Sequence, residues 1–181
     1  MSLSRFRRWD GGDAPTGLDV GVAVEVAGSE LVLSWRVSLL ESPRVPSVPA
    51  GFLDGLWEFD VVELFLAPAA AGEGKTRYLE LEVGPGGHWL ALSLADVRVR
   101  EAVLERLPVR VAGVVERATW RGSLRVAFEE VERIVGPLPW RGLGCAVLGG
   151  GIGDCAYLTS SRLPGPRPDF HQPHAWPLLP L

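Results

Sequence analysis

Turn chemistry returns along this chain before any helix of ordinary length can build. Its 181 residues hold 22 Gly and 15 Pro, recurring at short intervals between apolar runs, as in antiparallel strand-and-turn folds. Strongly periodic helical stretches are nearly absent, so an all-β domain is expected. Nine strands are predicted: Val20–Val26, Leu31–Ser38, Trp57–Leu66, Tyr78–Val83, His88–Leu94, Val109–Glu116, Thr119–Phe128, Gly144–Leu148 and Ala156–Ser160. That number suits an antiparallel two-sheet β-sandwich.

Helix is expected in one short piece, Glu129–Val135, which Gly136-Pro137 stops. Val97–Leu107 has apolar residues near helical spacing and is a second candidate. Ser42–Pro49 carries three prolines and reads as a stiffened surface loop. The segment from Leu163 onward has six prolines, which bars it from a central strand, so it is expected to wrap the domain. The length fits a single domain over residues 1–181.

Hydrophobic residues make up 47% and charged residues 22%, a globular balance. The net charge is −4 with a pI of about 5.4. Arginines are scattered rather than blocked, which argues against a nucleic-acid partner. No stretch reaches the ~18 apolar residues of a membrane helix, and no apolar signal run follows the basic residues Arg5, Arg7 and Arg8. A cytoplasmic protein is expected, with Cys145 and Cys155 reduced. The alternative for the two cysteines is a bridge across a hairpin at Gly149–Gly153, which they flank symmetrically.

The most informative pattern lies in the middle of the chain. Gly84-Pro85-Gly86-Gly87 reads as a tight turn, making a hairpin of Tyr78–Val83 and His88–Leu94. With Val83 opposite His88, period-2 alternation puts Leu79, Leu81, Val83, Leu90, Leu92 and Leu94 on the core face. The opposite face then carries Tyr78, Glu80, Glu82, Trp89, Ala91 and Ser93. In the preceding strand Val62, Leu64 and Leu66 join the core, while Trp57, Phe59, Val61, Glu63 and Phe65 join the second face.

Such a face, mixing indoles, a phenol, carboxylates and small residues, suits a sugar platform. The C–H face of a pyranose packs on an aromatic ring, and carboxylate oxygens accept hydrogen bonds from hydroxyls. The competing expectation is that the chain's own tail or a partner covers this face, with the aromatics as ordinary packing. A third is glycoside hydrolysis by Glu63 and Glu80, set opposite one another near the ~5 Å separation of retaining enzymes.

Asp169-Phe170-His171-Gln172-Pro173-His174-Ala175-Trp176 gathers two imidazoles, a carboxylate and two aromatics. The segment lacks a third or fourth metal ligand, so tail-docking hydrogen bonds or a place in the ligand pocket are favoured over a metal. His88 reads as a structural histidine. No nucleophile elbow, phosphate-binding loop or calcium loop is present, and no cofactor is expected.

Three segments, Leu56–Leu66, Tyr78–Trp89 and Pro168-Asp169-Phe170-His171, together resemble the DOMON-like bacterial proteins related to carbohydrate-binding module family 9. The resemblance runs from about Leu31 to Trp176 and implies a β-sandwich with a ligand cleft on one sheet, shaped as an aromatic clamp with charged residues. Trp57 with Glu63 fits the tryptophan and glutamate of that pattern. Trp176 is the candidate second wall and Trp89 its alternative. The ligand-binding set expected on these grounds is Trp57, Glu63, Tyr78, Glu80, Trp89, His171 and Trp176, and the expected ligand is a mono- or oligosaccharide.

Overall fold

A computed structural model describes residues 4–71, 75–149 and 155–181. The chain folds as a sandwich of two sheets in which every strand pairing is antiparallel. In chain order the strands are β1 (Ser4–Arg5), β2 (Arg7–Arg8), β3 (Asp19–Ala27), β4 (Glu30–Ser38), β5 (Val61–Pro68), β6 (Tyr78–Val83) and β7 (Trp89–Asp96). They continue with β8 (Val99–Val103), β9 (Arg110–Glu116), β10 (Thr119–Ala127), β11 (Trp140–Leu148) and β12 (Ala156–Thr159). One sheet has the order β1-β3-β4-β10-β9 and the other β2-β12-β11-β5-β6-β7-β8.

Between the sheets, alternate residues interdigitate. Leu31, Leu33, Trp35 and Val37 of β4 and Trp120, Leu124 and Val126 of β10 meet Val62, Leu64 and Leu66 of β5 and Leu79, Leu81 and Val83 of β6. Trp35 and Trp120 pack with ring centroids 5.4 Å apart. Their bulk fits because Gly122 and Gly113 lie beneath them; a Cβ on Gly122 would stand 2.5 Å from the Trp35 ring. Helix α1 (Phe128–Val135) places Val131, Ile134 and Val135 in the same core and ends at Gly136, whose carbonyl accepts a 2.7 Å bond from the Trp140 indole.

The larger sheet has a second core on its outer face. Val61, Phe65, Ala67, Tyr78, Leu90, Leu92, Leu94, Leu143 and Cys145 are covered there by Leu163, Phe170 and Trp176 of the proline-rich tail. This is why β5 is apolar on both faces, with Glu63 as its one charged residue: a strand buried on both sides loses most of the polar half of the pattern. Trp176, fully buried, donates its indole N–H to the Phe170 carbonyl at 2.9 Å, and Arg141 donates to the Trp176 carbonyl at 2.7 Å.

Several expectations change. Among the described residues the nine strands become twelve, with the additions β1, β2 and β8, the last of which replaces the helix expected in Val97–Leu107. Val97-Arg98-Val99-Arg100 alternates with period 2, and that shorter period prevails. Trp57 does not lie on a strand: Leu56–Glu58 is a 3-10 turn, and β5 begins only at Val61.

The register of the β6–β7 hairpin also differs by one. Val83 pairs with Trp89, not His88, because Gly87, at φ 79, turns the chain in the left-handed region and leaves His88 inside the loop. The Gly84 N–H then closes on the His88 carbonyl at 2.9 Å. A one-residue slip exchanges the faces of a strand. Trp89, Ala91 and Ser93 therefore pair with Val83, Leu81 and Leu79 on the inner face, and Leu90, Leu92 and Leu94 move to the outer face.

Cys145 and Cys155 are thiols rather than a disulfide, and Cys145 pairs across β11–β12 with Thr159. The expected hairpin turn at Gly149–Gly153 lies outside the described residues except for Gly149.

Candidate functional site

The outer face of the larger sheet is not wholly sealed. Between the tail and the loop before β5 lies a cleft of about 830 Å³, within the ~300–1,000 Å³ range of small-molecule sites. Glu63 and Glu80 form its floor with Leu92 and Leu94. Trp57 and Glu58 come from the 3-10 turn, Arg44 from the proline loop, Arg98 and Arg100 from β8 and the turn before it, and Phe170 and His171 from the tail. Trp57 is 39% exposed, an indole that the fold leaves open at the cleft.

The floor concentrates acid. Glu63 stands opposite Glu82 across β5–β6, and Glu80 stands opposite Phe65, so all three carboxyls share one face with Glu80 diagonal to Glu63. This is not the directly opposed Glu63–Glu80 pair expected from the sequence. All three are buried, and none forms an ion pair with a basic side chain among the described residues. Like charges opposed across a ladder repel, and burial disfavours the charged form. Burial therefore pushes Glu63 and Glu82 well above the ordinary carboxylate range, each raised further by its acidic neighbours, and pushes Glu80 up to about 7.

As an anion, Glu82 finds no donor for either oxygen. A proton solves this: a neutral Glu82 hydrogen-bonds to Glu80, which lowers the basicity of Glu80 and raises that of Glu82. Cys145, opposite Glu63 on β11, has its thiol pushed up by burial and then by Glu63 and Glu80.

A second polar group stiffens the tail wall. Burial lowers His171 to about 4, so its ring is neutral near pH 7. Tyr78, pushed up to about 12 chiefly by burial, keeps its proton, and its hydroxyl shares a 2.7 Å hydrogen bond with Nδ1 of His171. The same hydroxyl accepts the Arg98 N–H at 3.1 Å. Arg98 sits at φ 57, uncommon for a residue with a Cβ, and its guanidinium pairs with Asp169 at 2.8 Å.

The rim cations are already engaged. Arg100 pairs with Asp54 at 3.1 Å and lies 4.8 Å over the Trp57 ring, covering one face of the indole. Arg44 donates to the Glu58 carbonyl, and its own N–H is held by Asp60 at 3.2 Å. Asp60, pushed up by burial, also receives the Gly149 N–H at 3.0 Å.

Of the residues expected from the sequence, Trp57, Glu63, Glu80 and His171 line the cleft. Tyr78 lies behind it, holding His171, and Trp176 is buried beneath the tail rather than forming a wall. Trp89 is on the inner side of the sheet, edge-on to Phe52 at 5.3 Å. His88, buried at the turn, bonds to the Val48 carbonyl at 3.0 Å. Phe170 lines the cleft as part of the tail segment for which a place in the pocket was one expectation, and Arg44, Arg98, Arg100 and Tyr157 line it without having been expected there. Of these four, only Arg98 and Arg100 had a signal, the strand alternation of Val97–Arg100.

Among the described residues, no group of three or more His, Cys, Asp or Glu side chains is placed to hold a metal ion. No helix of the described residues is long and apolar enough to cross a membrane. Compared with models of known families and with curated proteins, the chain matches none.

Proposed function

We propose that this chain is a non-catalytic binding domain whose cleft takes a carbohydrate, a mono- or short oligosaccharide. The observation that carries the reading is the half-exposed Trp57 indole standing over a floor of buried, largely protonated carboxyls. An indole face accepts the C–H side of a sugar ring, while a mixture of carboxyl and carboxylate groups both donates to and accepts from hydroxyls. Arg98 and Arg100 already have acidic partners, so neither is an isolated cation for an anionic ligand. A neutral polyol fits that balance. The resemblance to DOMON-like and family 9 carbohydrate-binding proteins supports the same choice, and the unbridged thiols of Cys145 and Cys155 fit action in the cytoplasm.

The reading in which the tail fills this face has a specific observation behind it, since Phe170 and Trp176 do cover Phe65 and Tyr78. It extends no further than those rings, because Trp57 stays open. The tail is therefore one wall of the cleft and not its occupant.

Calorimetric titration against a panel of mono- and oligosaccharides tests the proposal. Stacking with a few hydrogen bonds corresponds to millimolar to micromolar dissociation constants, about −4 to −8 kcal/mol. Trp57→Ala is expected to lose the signal while its thermal unfolding is unchanged. Absence of heat with every sugar for the unmodified protein rejects the proposal.

A further inference from the structure

Two sheets have four edges, and this fold protects three of them. Among the described residues the outer strands β1 and β2 span two residues each, and β8 carries register shifts against β7 at Ser93/Leu94 and Leu94/Asp96. Short edges and bulges are the usual defences against further strand addition. The fourth edge, β9, has neither. It runs seven residues, Arg110 to Glu116, in regular register with β10, contains no Pro or Lys, and is exposed along nearly all of its length. Val114 and Val115 are each 40% exposed. No backbone hydrogen bond among those of the described residues reaches β9 from its outer side.

The sequence of this open edge is complementary to itself. Laid antiparallel against a second copy about Gly113, Arg110-Val111-Ala112-Gly113-Val114-Val115-Glu116 sets Arg110 opposite the second copy's Glu116. Val111 then meets Val115, Ala112 meets Val114, and Gly113 meets Gly113. Val111 and Val115 pair with Leu124 and Trp120 of β10, the core side of the sheet, so the matched apolar pair continues the inner face. Arg110, Ala112, Val114 and Glu116 continue the outer face, with an ion pair at each end. Opposite charges across a ladder stabilise it and like charges oppose it. The present partners of these ends, Glu30 for Arg110 and Arg121 for Glu116, are exposed pairs that hold them weakly.

We infer that the chain forms a two-fold homodimer by antiparallel pairing of β9 with β9 of a second copy, joining the five-stranded sheets into one continuous ten-stranded sheet. None of the cleft-lining residues takes part, so each dimer presents two open clefts.

Sedimentation velocity and light scattering of the full chain over a concentration series test this. Twice the monomer mass is expected for the unmodified protein, with hydrogen exchange of the β9 amides slowing as the dimer fills. Arg110→Glu, at a side chain 69% exposed, places like charges at both ends of the pairing and is expected to weaken association roughly tenfold or more. The double variant Arg110→Glu/Glu116→Arg exchanges the charges and is expected to restore it. A monomer at every concentration overturns the inference, as does a dimer indifferent to Arg110→Glu. If the double variant stays as weak as the single one, the register about Gly113 is wrong and the inference fails with it.

Discussion

Replacing Glu80 with Gln should make the protein more stable at high pH while changing little at low pH. Glu80 moves from an ordinary 4.5 to about 7 on folding. At about 1.4 kcal/mol per pH decade, that shift is worth about 3 kcal/mol. A folded-state value above the unfolded one means the native protein holds the extra proton. The stability is therefore complete below about pH 4.5 and is lost as pH rises through 7.

His171 opposes this in the unmodified protein. Its value falls from 6.5 to about 4, so its contribution is complete above 6.5 and lost as pH falls through 4, again about 3 kcal/mol. Between pH 4.5 and 6.5 the two nearly cancel, and the total curve is uninformative. The difference between Glu80→Gln and the unmodified chain isolates the carboxyl. It is expected near zero at about pH 4 and about 3 kcal/mol in favour of the variant at about pH 8, measured by guanidinium unfolding at fixed ionic strength. Because Glu63 and Glu82 lose a charged neighbour as well, the midpoint belongs to the cluster rather than to one residue. A difference that is constant from about pH 4 to about pH 8, or that favours the unmodified protein at high pH, refutes the buried-carboxyl account.

Other outcomes follow from the packing. Trp176→Ala removes a fully buried indole lying against Phe65 and Tyr78 and is expected to cost roughly 3–5 kcal/mol in chemical unfolding; a loss under about 1 kcal/mol would mean that the tail is not docked. Gly122→Ala drives a Cβ to 2.3 Å from the Ala112 carbonyl, so a loss of roughly 1–3 kcal/mol is expected, and an unchanged melting temperature would contradict the close approach of β9 to β10. Tyr78→Phe removes the hydroxyl that bonds Nδ1 of His171 and accepts the Arg98 N–H and should destabilise by about 1–3 kcal/mol in the same unfolding assay. The His171 ring protons should titrate near pH 4 by NMR; a midpoint near 6.5 would place the ring in water.

The layout of strands was legible because turn residues are local: Gly and Pro act on their own φ angles, and nothing distant alters that. Most expected strands match within a residue or two, but the two that bound the site depended on other things for their register and their start. One left-handed Gly87 decided which side of β7 faces the cleft. Trp57 left its strand because the chain enters β5 through a 3-10 turn, which the strand-like alternation Trp57-Glu58-Phe59-Asp60-Val61 does not signal. Trp89 was misplaced by the first of these. Arg44 came to the cleft from a loop 19 residues before Glu63, a proximity set by tertiary packing alone. Glu63, Glu80 and His171 were found because strand alternation and the unusual composition of the tail both survive folding.

The tail that covers the outer face joins it from far along the chain: Tyr78 and His171 are 93 residues apart. Closing so long a span is entropically costly and comes after local hairpins. Until Phe170, His171 and Trp176 seat, the His171 ring faces water, where an imidazole titrates near 6.5. Seating buries the ring against Tyr78 and lowers it to about 4. In mildly acidic solution the tail therefore sheds a proton as it docks, and any excursion that lifts it lets the imidazole take one up.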